Sequence, residues 1–146
     1  MNKINKLYQP NISELIDMFS IFLIKEVKDS KNKKNTKKNL KNIKIDLKNS
    51  LSIKKTYLNS KMIRKIILVG TINLLVWELK DNMLNNKKKY NSLLRKALEL
   101  NTIRNLVFNR MLENFSEFEE NRMRITKLGK IERNWHKFII KKIKRI

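Results

Sequence analysis

Three pairs of polar residues stand where chemistry is feasible: Glu14 with Asp17, Glu78 with Asp81, and Asn101 with Arg104. Each pair is spaced i, i+3, so on a helix its two side chains share one face. Two carboxylate pairs on facing helices would offer the hard oxygen ligands that Mg²⁺ prefers, and Arg104 could hold a phosphate bidentately. All-α nucleotide pyrophosphohydrolases carry carboxylate pairs on neighbouring helices in this way. The structural alternative is that Arg104 lies across a helical hairpin from Glu78 or Asp81 as an ion pair, with Asn73 and Asn101 satisfying backbone groups or each other. Lys80, inside the second acidic pair, would repel a cation and favours this alternative. Glu14, Asp17, Asn73, Glu78, Asp81, Asn101 and Arg104 therefore form a candidate polar cluster, with no residue assigned as catalytic, cofactor-binding or metal-ligating.

The second set of candidates is basic. Residues 28–61 hold 12 Lys against two Asp, among them Lys33, Lys34, Lys37 and Lys38. This segment has no Arg for bidentate base readout and only Tyr57 for stacking. Binding to nucleic acid here would be weak, sequence-blind and steeply salt-dependent. The tail, residues 130–146, places Ile131, Trp135, Phe138, Ile139, Ile143 and Ile146 at helical spacing, opposite a face that includes Lys137, Lys141, Lys142 and Arg145. Such an amphipathic helix suits a membrane surface or a nucleic acid, or packs on a bundle with its lysines solvated. His136, beside Trp135, has no partner pattern that would make it a base.

Composition narrows the field further. The chain of 146 residues has no Cys, one His and two Gly, which excludes a disulfide framework, thiolate metal sites, a multi-imidazole zinc site and Gly-rich phosphate loops. With 35 Lys+Arg against 13 Asp+Glu the net charge is +22. Ala97 is the only alanine, while Lys, Asn and Ile abound, a bias that an A/T-rich genome would impose through its codons. Drift of that kind accounts for part of the charge. A field of this size attracts polyanions at low salt whatever its purpose.

The elements that must position these residues are helical. Asn11 and Glu14 form a capping box just after Pro10, and Ile12, Leu15, Ile16, Phe19, Phe22, Leu23 and Val27 follow as an apolar stripe. Met18, Ile21 and Ile24 widen it, so the first helix is expected to be buried on most sides. Residues 30–39 contain no apolar side chain and read as a flexible Lys/Asn-rich linker. Leu40, Ile43, Leu47, Leu51 and Leu58 form a thinner stripe on a basic second helix. Two long core helices, about 61–85 and 90–114, meet at the basic turn 85–89 as an antiparallel hairpin. Gly70 would suit a close helix contact, and the stretch around it is too short and polar to span a membrane. Ser116 with Glu119 begins a short acidic helix that Gly129 could end. No segment alternates at period two. The expected class is all-α, a single small helical bundle over residues 1–146 with a basic C-terminal amphipathic helix.

Three of these segments together resemble an uncharacterised family of short bacterial and phage helical proteins. Its pattern runs G-E-L-x-D-K-[IY]-[ST]-I-L-x-I-K, then V-N-x-x-L-W-x-[IL]-E-D, then L-N-D-x-R. Here the first looks like Ser13 to Lys25, the second like Ile72 to Asp81, and the third like Leu100 to Arg104. Ser13, Met18, Lys80 and Thr102 stand where the pattern has Gly, Lys, Glu and Asp. The resemblance implies an α-helical fold, no assigned catalysis, and genes often placed near those for surface polysaccharide synthesis.

The resulting expectation is a cytoplasmic, non-catalytic accessory protein without a cofactor, working through a protein partner. The alternative is a basic nucleic-acid-binding or ribosome-associated protein, and a distant third is an Mg²⁺-dependent nucleotide phosphohydrolase. The N-terminus MNKINKLYQP has no apolar h-region of a signal peptide, and no transmembrane segment is expected. Oligomeric state is left open by the sequence.

Overall fold

The computed structural model describes residues 10–53 and 58–115. They form four α-helices: α1 Ile12–Lys28, α2 Lys33–Ile53, α3 Ser60–Asn85 and α4 Tyr90–Asn114. A single 3₁₀ turn, Lys87–Lys89, joins α3 to α4. No strand occurs among the described residues, so the protein is an all-α bundle.

The long hairpin falls where the apolar periodicity places it. Val69, Ile72, Leu75, Leu79 and Met83 of α3 are buried against Ala97, Leu100, Ile103, Val107 and Met111 of α4. α1 contributes Ile12 and Ile16 to the same core. α1 and α2 make a second hairpin, with Leu40 and Ile43 buried and Leu47 and Leu51 partly so. Leu58, expected on the second helix, lies beyond it, just before α3, and is exposed.

At the start of α1 the capping box is formed: Asn11 Oδ1 accepts from the Glu14 backbone N–H at 2.8 Å, and Glu14 Oε2 accepts from the Asn11 N–H at 2.9 Å. Asn59 caps α3 more simply, its Oδ1 accepting from the Met62 N–H at 2.9 Å.

Two expectations are corrected. The segment 30–39 is not a flexible linker throughout, because α2 begins at Lys33 and the connection is only four residues, 29–32. Thr36 is the residue that anchors this turn of helix, only 3% exposed although it is not apolar. Scanning for apolar side chains alone overlooked it. Secondly, α1 is buried over its first half but not on most sides, since Met18, Leu23 and Val27 are exposed. Only three other helices are available to cover it among the described residues. Gly70 of α3 does face α1, as suits a helix contact, without the spacing requiring a glycine. A Cβ built there would meet only Ser20 Cβ, at the ordinary van der Waals separation of 3.8 Å. The acidic helix from Ser116 and the basic tail helix of residues 130–146 lie outside the described residues.

Candidate functional site

Of the seven polar candidates, three converge where α1, α3 and α4 meet. Asp17, Asn73 and Arg104 are each directed inward from a different helix, which is possible because α1 lies over the α3–α4 hairpin near its middle. The Asn73 carboxamide sits at the centre. Its Nδ2 donates to Asp17 Oδ1 at 2.8 Å and to Ser20 Oγ at 2.7 Å, while its Oδ1 faces Arg104 at 3.4 Å. The guanidinium reaches the other carboxylate oxygen, Asp17 Oδ2, at 3.6 Å. Ser20 in turn donates its hydroxyl proton to the Asp17 carbonyl at 2.8 Å, one turn back along α1.

Each polar group here has a complementary role. A carboxylate whose side chain is only 11% exposed needs a donor and an opposite charge, and Asn73 supplies the hydrogen bond at Oδ1 while Arg104 supplies the charge facing Oδ2. The Asn73 amide, equally enclosed, uses both its donor and its acceptor ends. The cluster is thus a three-helix clasp, with charge balanced inside it.

The other candidates lie apart from this clasp. Glu14 is occupied in the capping box of α1. Glu78 faces Lys28 of α1 at 3.7 Å in a partly exposed ion pair, Asp81 points to solvent, and Asn101 is half-buried on α4 without a hydrogen bond to Asp17, Asn73 or Arg104. The expected partner of Arg104, Glu78 or Asp81, is therefore replaced by Asp17. Helical geometry gives the reason: Glu78 is five residues beyond Asn73, about 140° around α3, and so faces the end of α1 rather than the clasp. Neither acidic i, i+3 pair acts as a pair. Among the described residues no group of three or more Asp, Glu, His or Cys side chains is placed to hold a metal ion.

Ser20 is the member that sequence reasoning missed. It sits i, i+3 from Asp17, the same spacing that flagged the other pairs, but a hydroxyl carries no charge and did not register.

Two surface features complete the inventory. An apolar cavity of about 280 Å³ opens between α1, α2 and α3, lined by residues including Phe19, Leu23, Leu47, Leu51, Ile66 and Gly70. On α2, Lys33, Lys34, Lys37 and Lys38 are all exposed, with Lys34, Lys37 and Lys38 turned from the buried Leu40 and Ile43 and Lys33 at the edge of that apolar face. The tail candidates Lys137, Lys141, Lys142 and Arg145 lie outside the described residues. No helix among those described is long and apolar enough to cross a membrane.

Comparison with protein-family models, with curated proteins and with solved structures finds no match to this chain.

Proposed function

We propose that this chain is a non-catalytic interaction protein, a small helical bundle that works through its outer faces and uses its central polar cluster to hold α1 on the α3–α4 hairpin. The observation that supports this reading is the way Asp17 is used. The carboxylate best placed to do chemistry has one oxygen bonded to Asn73 and the other paired with Arg104. A general base or a metal ligand needs an oxygen turned to the reacting group, and here both are turned to neighbouring helices. The family resemblance would place its protein partner in surface-glycan synthesis.

The test compares Asp17→Asn, Arg104→Met and the double variant by thermal unfolding. A structural clasp predicts that each single variant lowers the melting temperature, that the double variant costs less than the two singles combined, and that millimolar Mg²⁺ moves none of the melting curves. Mg²⁺-dependent hydrolysis of nucleoside triphosphates, abolished by a variant whose melting temperature is unchanged, would overturn the reading.

A second reading, contact with a polyanion, is favoured by one specific observation: Lys34, Lys37, Lys38, Lys41, Lys44 and Lys48 of α2 are exposed on one side of the helix.

A further inference from the structure

We infer that α2 carries a built phosphate-binding edge, a row of lysines that fits the backbone of double-stranded nucleic acid without reading its sequence. The inference deepens the reading of the chain as an interaction protein and rests on it.

α2 divides its circumference into three sectors. At 100° per residue, Thr36, Leu40, Ile43, Leu47 and Leu51 fall in one sector, which is the sector turned to the bundle. The remaining surface splits in two. Lys34, Lys37, Lys38, Lys41, Lys44 and Lys48 fall within about 120° of arc, all exposed, with Lys33 at their flank. Asn35, Asn39, Asn42 and Asn49 fall together in the other sector, with Asp46, the one acid of the helix. Ile45 is the one apolar side chain within the lysine sector.

This sorting separates a binding edge from compositional drift. Lys and Asn are both favoured by A/T-rich codons, and a helix filled by drift would scatter them alike over every solvated position. Here the two residue types do not mix. Solubility asks only for charge and is indifferent to which exposed sector bears it. One-sided lysines concentrate the positive potential along a line, and the amide sector keeps the reverse side nearly neutral. Two of the lysines of α2 even stand in its first turn, Lys33 and Lys34, where the helix dipole disfavours positive charge and no acid offsets it.

The dimensions of the row select the partner. From Lys34 to Lys48 it runs about 21 Å, straight, because it is carried on one helix. At 3.4 Å per phosphate, each strand of a duplex presents about six phosphates over that length. α2 carries no aromatic side chain, so it offers no stacking platform for single-stranded bases, and no Arg for bidentate recognition of guanine. A bilayer is a poorer match, since the apolar face with which a surface helix enters lipid is spent on the bundle.

Fluorescence anisotropy with the full chain tests this, using a 20-base-pair DNA duplex of mixed sequence between 50 and 200 mM NaCl. Its single strand and vesicles of phosphatidylcholine with one quarter phosphatidylglycerol serve as competitors. Neutralising about five phosphates predicts a log–log salt slope near −4.5, a loss of about five-hundredfold across that range. The triple variant Lys37→Gln, Lys41→Gln, Lys44→Gln keeps helix propensity and should flatten the slope by about 3, whereas Lys87→Gln, Lys88→Gln, Lys89→Gln, which removes equal charge from the α3–α4 turn, should change it by less than 1. Circular dichroism checks that both variants fold. Equal flattening by the two variants would reveal a diffuse field and overturn the proposal, as would preference for the single strand or the vesicles. Electrophoresis of the recovered duplex separates failure of the binding edge from failure of the non-catalytic reading. Cleavage of it would defeat the non-catalytic reading, while absence of binding would defeat only the phosphate-binding edge.

Discussion

Asn73 is the residue on which three helices depend, because one carboxamide serves Asp17, Ser20 and Arg104 together. Replacing it with alanine strips a donor from an enclosed carboxylate and an acceptor from the guanidinium, and should destabilise the fold by about 2–3 kcal/mol in chemical denaturation. Arg104→Ala should cost less, since its side chain retains 21% exposure and water partly screens the pair. Gly70 makes the opposite prediction. Alanine there adds only an ordinary contact with Ser20 and removes the helix penalty of glycine, so Gly70→Ala should raise stability by about 0.5–1 kcal/mol. A loss of stability on that substitution would mean that α1 and α3 approach more closely than 3.8 Å at Ser20. The candidates Asp17, Asn73 and Arg104 were legible in the sequence as polar residues embedded in apolar helices. Their mutual partnership was not, because the spacing within each helix says nothing about the register between helices.

Helix boundaries are set by local chemistry, and here the caps do much of that setting. The reciprocal pair of Asn11 and Glu14 satisfies two orphan backbone donors of α1, and Asn11→Ala should cost about 1 kcal/mol. The turn between α1 and α2 is closed by Asp29, whose Oδ1 accepts from the Lys31 N–H and whose Oδ2 accepts from the Asn32 side chain. The Asn32 hydrogen bond is the foremost cause that holds the Asp29 carboxyl below its ordinary value of 3.8. A depressed folded-state pKa stabilises the turn above the ordinary value, and that contribution is lost as pH falls through the folded one. An NMR titration of Asp29 should therefore show its midpoint rising towards 3.8 in Asn32→Ala. The same short turn leads directly into α2 over residues that read as a linker. A run of Lys and Asn resembles a linker, yet it continues into a helix because Thr36, Leu40 and Ile43 give it a packed face.

Taken whole, the molecule carries a net charge of +22, so self-repulsion opposes its compact state. Its melting temperature should rise by a few degrees between 20 and 200 mM NaCl as screening sets in, a trend that circular dichroism would follow. A fall instead would show that attractive pairs such as Arg104 with Asp17 outweigh the repulsion. Periodicity and caps act over a few residues, so the helical class, the α3–α4 hairpin and the capping box are all written locally in the chain. Which polar side chains meet, and how much of each apolar stripe is covered, were settled only by the packing of the helices. Both depend on where each helix is rotated against its neighbours, and that rotation is fixed by burial of the apolar faces of all four helices at once.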